Sequence, residues 1–173
     1  EELLYDDRQI MTYNEQNIRR IDCFTVPFVH VSDEKWAPNW LRQTVRYQLL
    51  PDRFANGNAN NDPHNYLPWG KEAVNQGEYF GGDLAGLIAH LDYLKDLGVN
   101  GIYLMPIFTS YTNSKFDTVD YFSVDPDLGT KVEFKQLVDE LHKRNMRIML
   151  DGIFSYMSDA SLQWQDVQEK GRD

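Results

Sequence analysis

The chain has a single cysteine, fewer positive than negative charges and no long uninterrupted apolar run. One cysteine, Cys23, among 173 residues leaves no disulfide framework to staple the fold. That economy fits a reducing compartment. Lys and Arg number 17 against 27 Asp and Glu, a net charge of −10. Such a surface repels a phosphate backbone and an anionic bilayer, so nucleic acid and membrane are both set aside as partners. No apolar stretch approaches the length of a transmembrane helix. The first residues, Glu1-Glu2-Leu3-Leu4-Tyr5-Asp6, are not a signal peptide. There is no G-x-G-x-x-G after the first apolar run and no Walker lysine motif, which weakens a doubly wound nucleotide-binding fold. The four histidines are scattered, with His30 and His64 isolated and His90 and His142 within helical stretches, so no His/Cys metal cluster and no Ser–His–Asp set can be assembled.

What is present is an alternation of short apolar strands with amphipathic helices. The loops after strands are long and polar, and the loops after helices are very short. Residues 44–50 read as a first buried strand ended by Pro51. A loop over 51–82, rich in Asn, Gly, Asp and Pro, is long enough to carry function of its own. Leu84, Leu87, Ile88, Leu91, Leu94 and Leu97 then form one helical face, with Asp83 as N-cap and Gly98 as the stop. A second strand is predicted over 101–105, closed by Pro106, and a second long loop over 107–129. Thr130-Lys131-Val132-Glu133 is a capping box opening a helix whose apolar face is Phe134, Leu137, Val138 and Leu141. A third strand over 146–150 delivers Asp151 to its end. The order strand–helix–strand–helix–strand implies a parallel α/β sheet with one elaborated face, the start of a barrel or part of a doubly wound sheet. Residues 1–40 lack a sustained period, with Cys23–Val26 and Phe28–Val31 as candidate short strands and Trp36, Pro38 and Trp40 marking entry into the main body.

Three groups of residues could carry chemistry. The run Asn56-Gly57-Asn58-Ala59-Asn60-Asn61-Asp62, with Gly81-Gly82-Asp83 later, offers hard oxygen donors of the kind Ca²⁺ selects. On composition alone, turn chemistry is the favoured reading of that run. Rings crowd the loops (Tyr66, Trp69, Tyr79, Phe80, Tyr111, Phe116, Tyr121 and Phe122) and suit either the faces of sugars or packing of the loops themselves. Asp52, Asp117, Asp120 and Asp151 collect at the expected C-terminal edge, where a carboxylate pair suits glycosidic acid/base work. The same residues read equally as structural ion pairs, with Arg53 and Lys115 as nearby cations.

Taken in order, several segments resemble the α-amylase family. They are Tyr47-Gln48-Leu49-Leu50-Pro51-Asp52-Arg53-Phe54-Ala55-Asn56-Gly57, Gly81-Gly82-Asp83-Leu84-Ala85-Gly86, Leu91-Asp92-Tyr93-Leu94-Lys95-Asp96-Leu97-Gly98, Ile102-Tyr103-Leu104-Met105-Pro106-Ile107-Phe108, Lys115-Phe116-Asp117-Thr118-Val119-Asp120-Tyr121, Asp125-Pro126-Asp127-Leu128-Gly129 and Leu150-Asp151-Gly152-Ile153-Phe154. Each is modest alone, but their order and spacing are specific over roughly residues 36–171. The narrower resemblance is to the cyclomaltodextrinase, neopullulanase and maltogenic amylase group. It implies the first three strands of a (β/α)₈ TIM barrel over 36–173, incomplete at 173, preceded over 1–35 by the end of an N-terminal β domain and its linker.

The implied activity is retaining hydrolysis of, or transfer from, α-1,4 or α-1,6 bonds of maltooligosaccharides, cyclodextrins or related glucans. The nucleophile and general acid are expected beyond residue 173, so the 173 residues alone are expected to be inactive. The resemblance also shifts the Asn-rich loop toward structural Ca²⁺, with Asn56, Asn58, Asn61, Asp62, Gly81 and Asp83 at the matching positions. It places Phe116, Asp117, Asp151 and Tyr156 at the sugar site. The implied parent is a cytoplasmic homodimer.

Departures from the family pattern are specific. Asn58 and Phe116 stand where aspartate and tyrosine are usual, Ser114 where a histidine is usual, and Ser155-Tyr156 where the pattern has Asn-His. They keep an alternative open: a catalytically inactive amylase-like module that binds glucan or a protein partner.

Overall fold

A computed structural model describes residues 3–5, 10–18, 38–68, 71, 75 and 77–171. The chain divides into two units, residues 1–39 and 40–173. In the first, β1 (Leu3–Tyr5) pairs antiparallel with β2 (Ile10–Thr12), Leu3 opposite Thr12, and one helical turn, α1 (Glu15–Ile18), follows. Three-residue strands leave no readable period, which is why the sequence does not announce them. The expected strands at Cys23–Val26 and Phe28–Val31, and Trp36, lie outside the described residues.

The second unit holds the parallel sheet. After the turn α2 (Asn39–Arg42) come β3 (Arg46–Leu49), β4 (Gly101–Leu104) and β7 (Arg147–Leu150), in spatial order β3-β4-β7. Arg46 is level with Gly101, and Gly101 with Arg147. The strands are one to three residues shorter than their apolar runs suggest. At the N-terminal end of the sheet Asn100 aligns all three strands. Its Oδ1 accepts from Val45 N at 2.7 Å, its Nδ2 donates to Gln43 O at 3.0 Å, and its carbonyl accepts from Arg147 N at 2.9 Å.

Between β3 and β4 a single helix is expected, and two occur: α3 (Leu84–Ala89) and α4 (Leu91–Asp96). The break is at His90. A ring nitrogen of His90 sits 2.8 Å from the Gly86 carbonyl, taking the acceptor that its own N–H would use in an α-helix, and the N–H turns to Leu87 O at 3.1 Å. Asp83 caps α3 through Gly86 N, as its position predicts, and Gly98 ends the pair at φ +88°. The helix α5 (Lys131–Lys143) opens on Thr130 with both arms of the capping box made.

Leu84, Leu87, Leu91 and Leu94 from the first helical layer, Leu137 and Leu141 from α5, and Leu49, Ile102, Leu104 and Met146 from the sheet side form one buried core. The leucine spacing read from the sequence is therefore the core face of the helices up to Leu94, while Leu97, expected on the same face, is exposed because α4 ends at Asp96. The second long loop is not a plain loop. It carries an antiparallel hairpin, β5 (Phe108–Ser110) and β6 (Thr118–Val124), whose register shifts twice along β5. A last helix, α6 (Leu162–Lys170), starts from Ser161 as N-cap.

Candidate active-site face

The loop after β3 is closed at its root by one buried side chain. Pro51–Arg53 form a 3₁₀ turn that turns Asp52 inward, to 3% exposure. Asp52 Oδ1 accepts from Phe80 N at 2.9 Å and Gly81 N at 3.2 Å, so the two ends of the loop meet on one carboxylate. Its other oxygen lies 3.1 Å from Arg53 Nε. Arg53 in turn donates to Glu78 O at 2.8 Å and sits 4.3 Å above the Phe80 ring. Burial pushes the Asp52 carboxyl above its ordinary range, against the pull of the Phe80 and Gly81 N–H groups and Arg53.

Within that closed root the Asn-rich segment folds onto Asp83. Besides capping α3, Asp83 accepts from Gly57 N at 3.0 Å and Asn58 N at 2.8 Å. Asn56 Nδ2 donates to Asp62 Oδ1 at 2.5 Å. Gly81 has φ +72°, and a Cβ on it would stand 2.6 Å from Asp62 Oδ1 and 2.7 Å from Asn56 Nδ2, so only glycine fits there. Asn58 Oδ1 turns instead to Asn60, accepting from its N at 3.2 Å and Nδ2 at 3.1 Å. Asn61 Oδ1 is buried with no hydrogen-bond partner.

The six matching positions thus divide. Asn56, Asp62 and Gly81 converge, Asn61 presents an orphaned acceptor, and Asp83 and Asn58 serve the loop's own backbone and amides. Among the described residues no group of three or more His, Cys, Asp or Glu is arranged for a metal. The donors present, amide and carboxylate oxygens with one acceptor lacking a proton donor, fit a hard cation.

The other two segments meet at Tyr121. Its hydroxyl donates to the carbonyls of Ile153 and of Tyr156, the latter at 2.9 Å, and Ser158 N donates to Thr118 O at 3.0 Å. The Tyr121 ring stacks on Phe154 with centroids 5.7 Å apart and leans on Phe108 at the same distance. Thus β6 and the segment after β7 lie side by side. Phe116 and Asp117 immediately precede β6, and Asp151 and Tyr156 lie in the segment after β7. Phe116 is half-buried and Tyr156 exposed.

Asp117 accepts from Tyr111 N at 3.1 Å, Thr112 N at 3.2 Å and the Thr112 hydroxyl. Asp151 follows β7 directly, its N–H bonded to Leu104 O at 2.8 Å. Desolvation, and after it the neighbouring Asp151 carboxylate, pushes the Tyr103 phenol up. Asp120 accepts from the Ser123 hydroxyl and from Phe122 N, which hold its carboxyl below the usual range. Asp117 and Asp120 each draw on donors from their own hairpin.

Lys115 differs from its expected place. The sequence puts it near the edge carboxylates as a cation, but its ammonium is buried and pairs with Asp125 at 2.9 Å and Asp127 at 3.7 Å. Sequence distance gives no signal for this pairing, because Lys131 lies nearer to Asp125-Pro126-Asp127 in the chain than Lys115 does. Tyr121, which joins the two segments, looks in the sequence like any other of the loop rings, because its partners are the backbone carbonyls of Ile153 and Tyr156 more than thirty residues on.

Comparison with known proteins places this geometry. The family model described as "Alpha amylase, catalytic domain" matches residues 48–173. An intracellular maltogenic amylase of Bacillus subtilis (strain 168) is 49% identical over 172 residues, 99% of this chain and 29% of that protein. A cyclomaltodextrinase of Geobacillus thermopakistaniensis is 47% identical over 148 residues, 86% of this chain and 25% of that protein. Among solved structures, a cyclic α-maltosyl-(1→6)-maltose hydrolase from Arthrobacter globiformis, in complex with its namesake saccharide, superposes with a TM-score of 0.75 at 44% identity, covering 79% of this chain and 31% of that one. The chain spans under a third of the length of these curated relatives. With three parallel strands, a match across most of its length and relatives near half identity, the chain belongs to the alpha-amylase family.

Proposed function

We propose that this chain is the opening part of the catalytic (β/α)₈ barrel of a retaining α-glucan hydrolase or transglycosylase. Its substrates would be maltooligosaccharides, cyclodextrins or related glucans with α-1,4 or α-1,6 bonds. The observation that carries the reading is the sheet: β3, β4 and β7 run parallel, and every elaborated loop leaves from their C-terminal ends, the face on which barrel enzymes build their sites. In this reading residues 1–35 end a preceding β domain and its linker, and 36–173 hold the first three barrel strands.

The residues divide the work as follows. Phe116 offers a ring for the face of a sugar, and Asp117, fixed by three donors from Tyr111 and Thr112, shapes the turn beside it. Asp151, directly after β7, forms part of the floor of the site beside Tyr103. Tyr156 presents its phenol from an exposed position where it can donate to a sugar hydroxyl. The carboxylates that perform displacement and protonation belong to later strands. Asn56, Asn58, Asn61, Asp62, Gly81 and Asp83 would hold Ca²⁺, which when bound would tie the loop after β3 into one rigid wall. The orphaned Asn61 Oδ1 favours that assignment.

One relative is named intracellular, and no helix among the described residues is long and apolar enough to cross a membrane. We place the parent protein in the cytoplasm, as a homodimer. The inactive-module reading rests on Ser155 and Tyr156.

The deciding experiment is the purified full-length protein incubated with β-cyclodextrin, maltotriose and pullulan, and titrated with Ca²⁺ by calorimetry after chelation. Release of maltose or glucose with retained anomeric configuration is expected, with stoichiometric Ca²⁺ uptake. Saccharide binding without hydrolysis would replace the enzyme with the binding module, and absent heat would remove calcium.

A further inference from the structure

Lys115 is 1% exposed and adopts φ +60°, a left-handed backbone that non-glycine residues seldom hold. Both features are costly, the first because an ammonium leaves water and the second because its Cβ crowds the backbone. They persist where the surroundings over-determine them. Here the surroundings are specific. Lys115 Nζ sits on Asp125 and Asp127, and 5.6 Å from the centre of the Tyr79 ring. Asp125, also buried, accepts from Ser110 N at 2.9 Å and from Asp127 N at 3.1 Å. The Lys115 N–H donates to Thr112 O at 3.2 Å, and its carbonyl accepts from the Ser110 hydroxyl at 3.3 Å. Tyr79 donates its hydroxyl to Tyr111 O at 2.8 Å. Three stretches, 79, 110–115 and 125–127, therefore close around one ammonium, and the next residue in the chain is Phe116.

We infer that Lys115 is a positioning residue: its buried ammonium, seated on Asp125 and Asp127, fixes the turn from which Phe116 is presented to the sugar. The inference rests on the reading of Phe116 as a wall of the sugar site. It reaches beyond that reading by assigning the wall's geometry to a charge that touches no substrate. Asp125 closes the base of the hairpin, and Asp117 clamps its tip through Tyr111 and Thr112. Lys115 is the only side chain among the described residues that ion-pairs the tip to the base.

Removing the lysine alone strands Asp125 as an unpaired buried charge, and that variant is expected to fold badly. The test therefore uses Lys115→Met with Asp125→Asn, which removes both charges together, and separately Asp127→Asn, which removes the more exposed arm. Each is made in the full-length protein, with and without Phe116→Ala. The readouts are kcat/KM for maltotriose and amide exchange of Tyr111 and Thr112 against that of β4 and β7.

The charge-free pair is expected to lower kcat/KM about tenfold and to speed exchange at Tyr111 and Thr112 by a similar factor, leaving β4 and β7 protected. Asp127→Asn is expected to lower kcat/KM by about twofold to threefold. In the Phe116→Ala background the charge-free pair is expected to cost no more than about twofold, because the group it positions has gone. An equal loss in both backgrounds makes Lys115 a general stability element and overturns the inference, as does no loss in either while Phe116→Ala is costly. If Phe116→Ala is harmless, the sugar-wall reading is what has failed, and the inference falls with it.

Discussion

Gly86 is conspicuous in a helix, where glycine costs about 1 kcal/mol relative to alanine. The structure supplies the reason. A Cβ on Gly86 would drive into the carbonyl of Ala55, and one on Gly57 would drive into Gly86 itself, so α3 and the Asn-rich loop touch backbone to backbone. Gly86→Ala is therefore expected to destabilise the protein by about 1–3 kcal/mol despite its better helix propensity. Denaturant titration checks the sign, and a stabilised variant would mean that the loop is free to retreat. At this scale the sequence is uneven. Asp83 as N-cap, Thr130 with Glu133, and Gly98 are legible because each acts on backbone within a few residues. Asp52 and Lys115 are not, because their partners are Phe80, Gly81, Asp125 and Asp127, which lie on other stretches of the loops. A carboxylate that reads as a catalytic candidate turns out to close a loop.

Among the elements, helices are better foretold than strands. Leucine spacing located α3, α4 and α5, while the hairpin β5–β6 stayed hidden in a polar loop because its first strand is three residues long and its register slips twice. The break at His90 escaped for a related reason, since it depends on a ring finding the Gly86 carbonyl and on Phe54, 6.0 Å away edge to face. The link between α4 and α5 makes a pH prediction. Arg144 Nε donates to Asp92 at 2.7 Å, and Arg144 Nη1 donates to Glu140 at 2.6 Å. The hydrogen bond from Arg144 holds Asp92 below its ordinary value of 3.8, and bonds from Lys143 and then Arg144 hold Glu140 below 4.5. Lowered folded values mean that this stabilisation is whole above those ordinary values and is lost as pH falls through the folded ones. Arg144→Met is thus expected to lower the melting temperature at pH 7, with the gap to wild type narrowing steadily below pH ~4. A gap that does not change with pH would assign the effect to packing of the arginine stem.

For the whole molecule, the succession of strand and helix gave the parallel sheet, but nothing in the periodicity says where the sheet ends. Among the described residues the outer edges of β3 and β7 pair with no other strand. Open parallel edges are templates for association, since such strands are normally covered on both faces and flanked by neighbours. The rings at the C-terminal side add to this: Phe122 is 83% exposed and Phe154 82%. In a closed barrel the edges would be paired, and neighbouring loops would cover such rings. The 173-residue chain prepared alone is accordingly expected to self-associate as its concentration rises and to bind an apolar dye. The full-length protein should do so far less at equal molarity. Sedimentation velocity across a dilution series separates the two. If the isolated chain stays a compact monomer throughout, its edges are satisfied without further strands, and the proposal that it forms the first three strands of a barrel would have to be abandoned even though its family would stand.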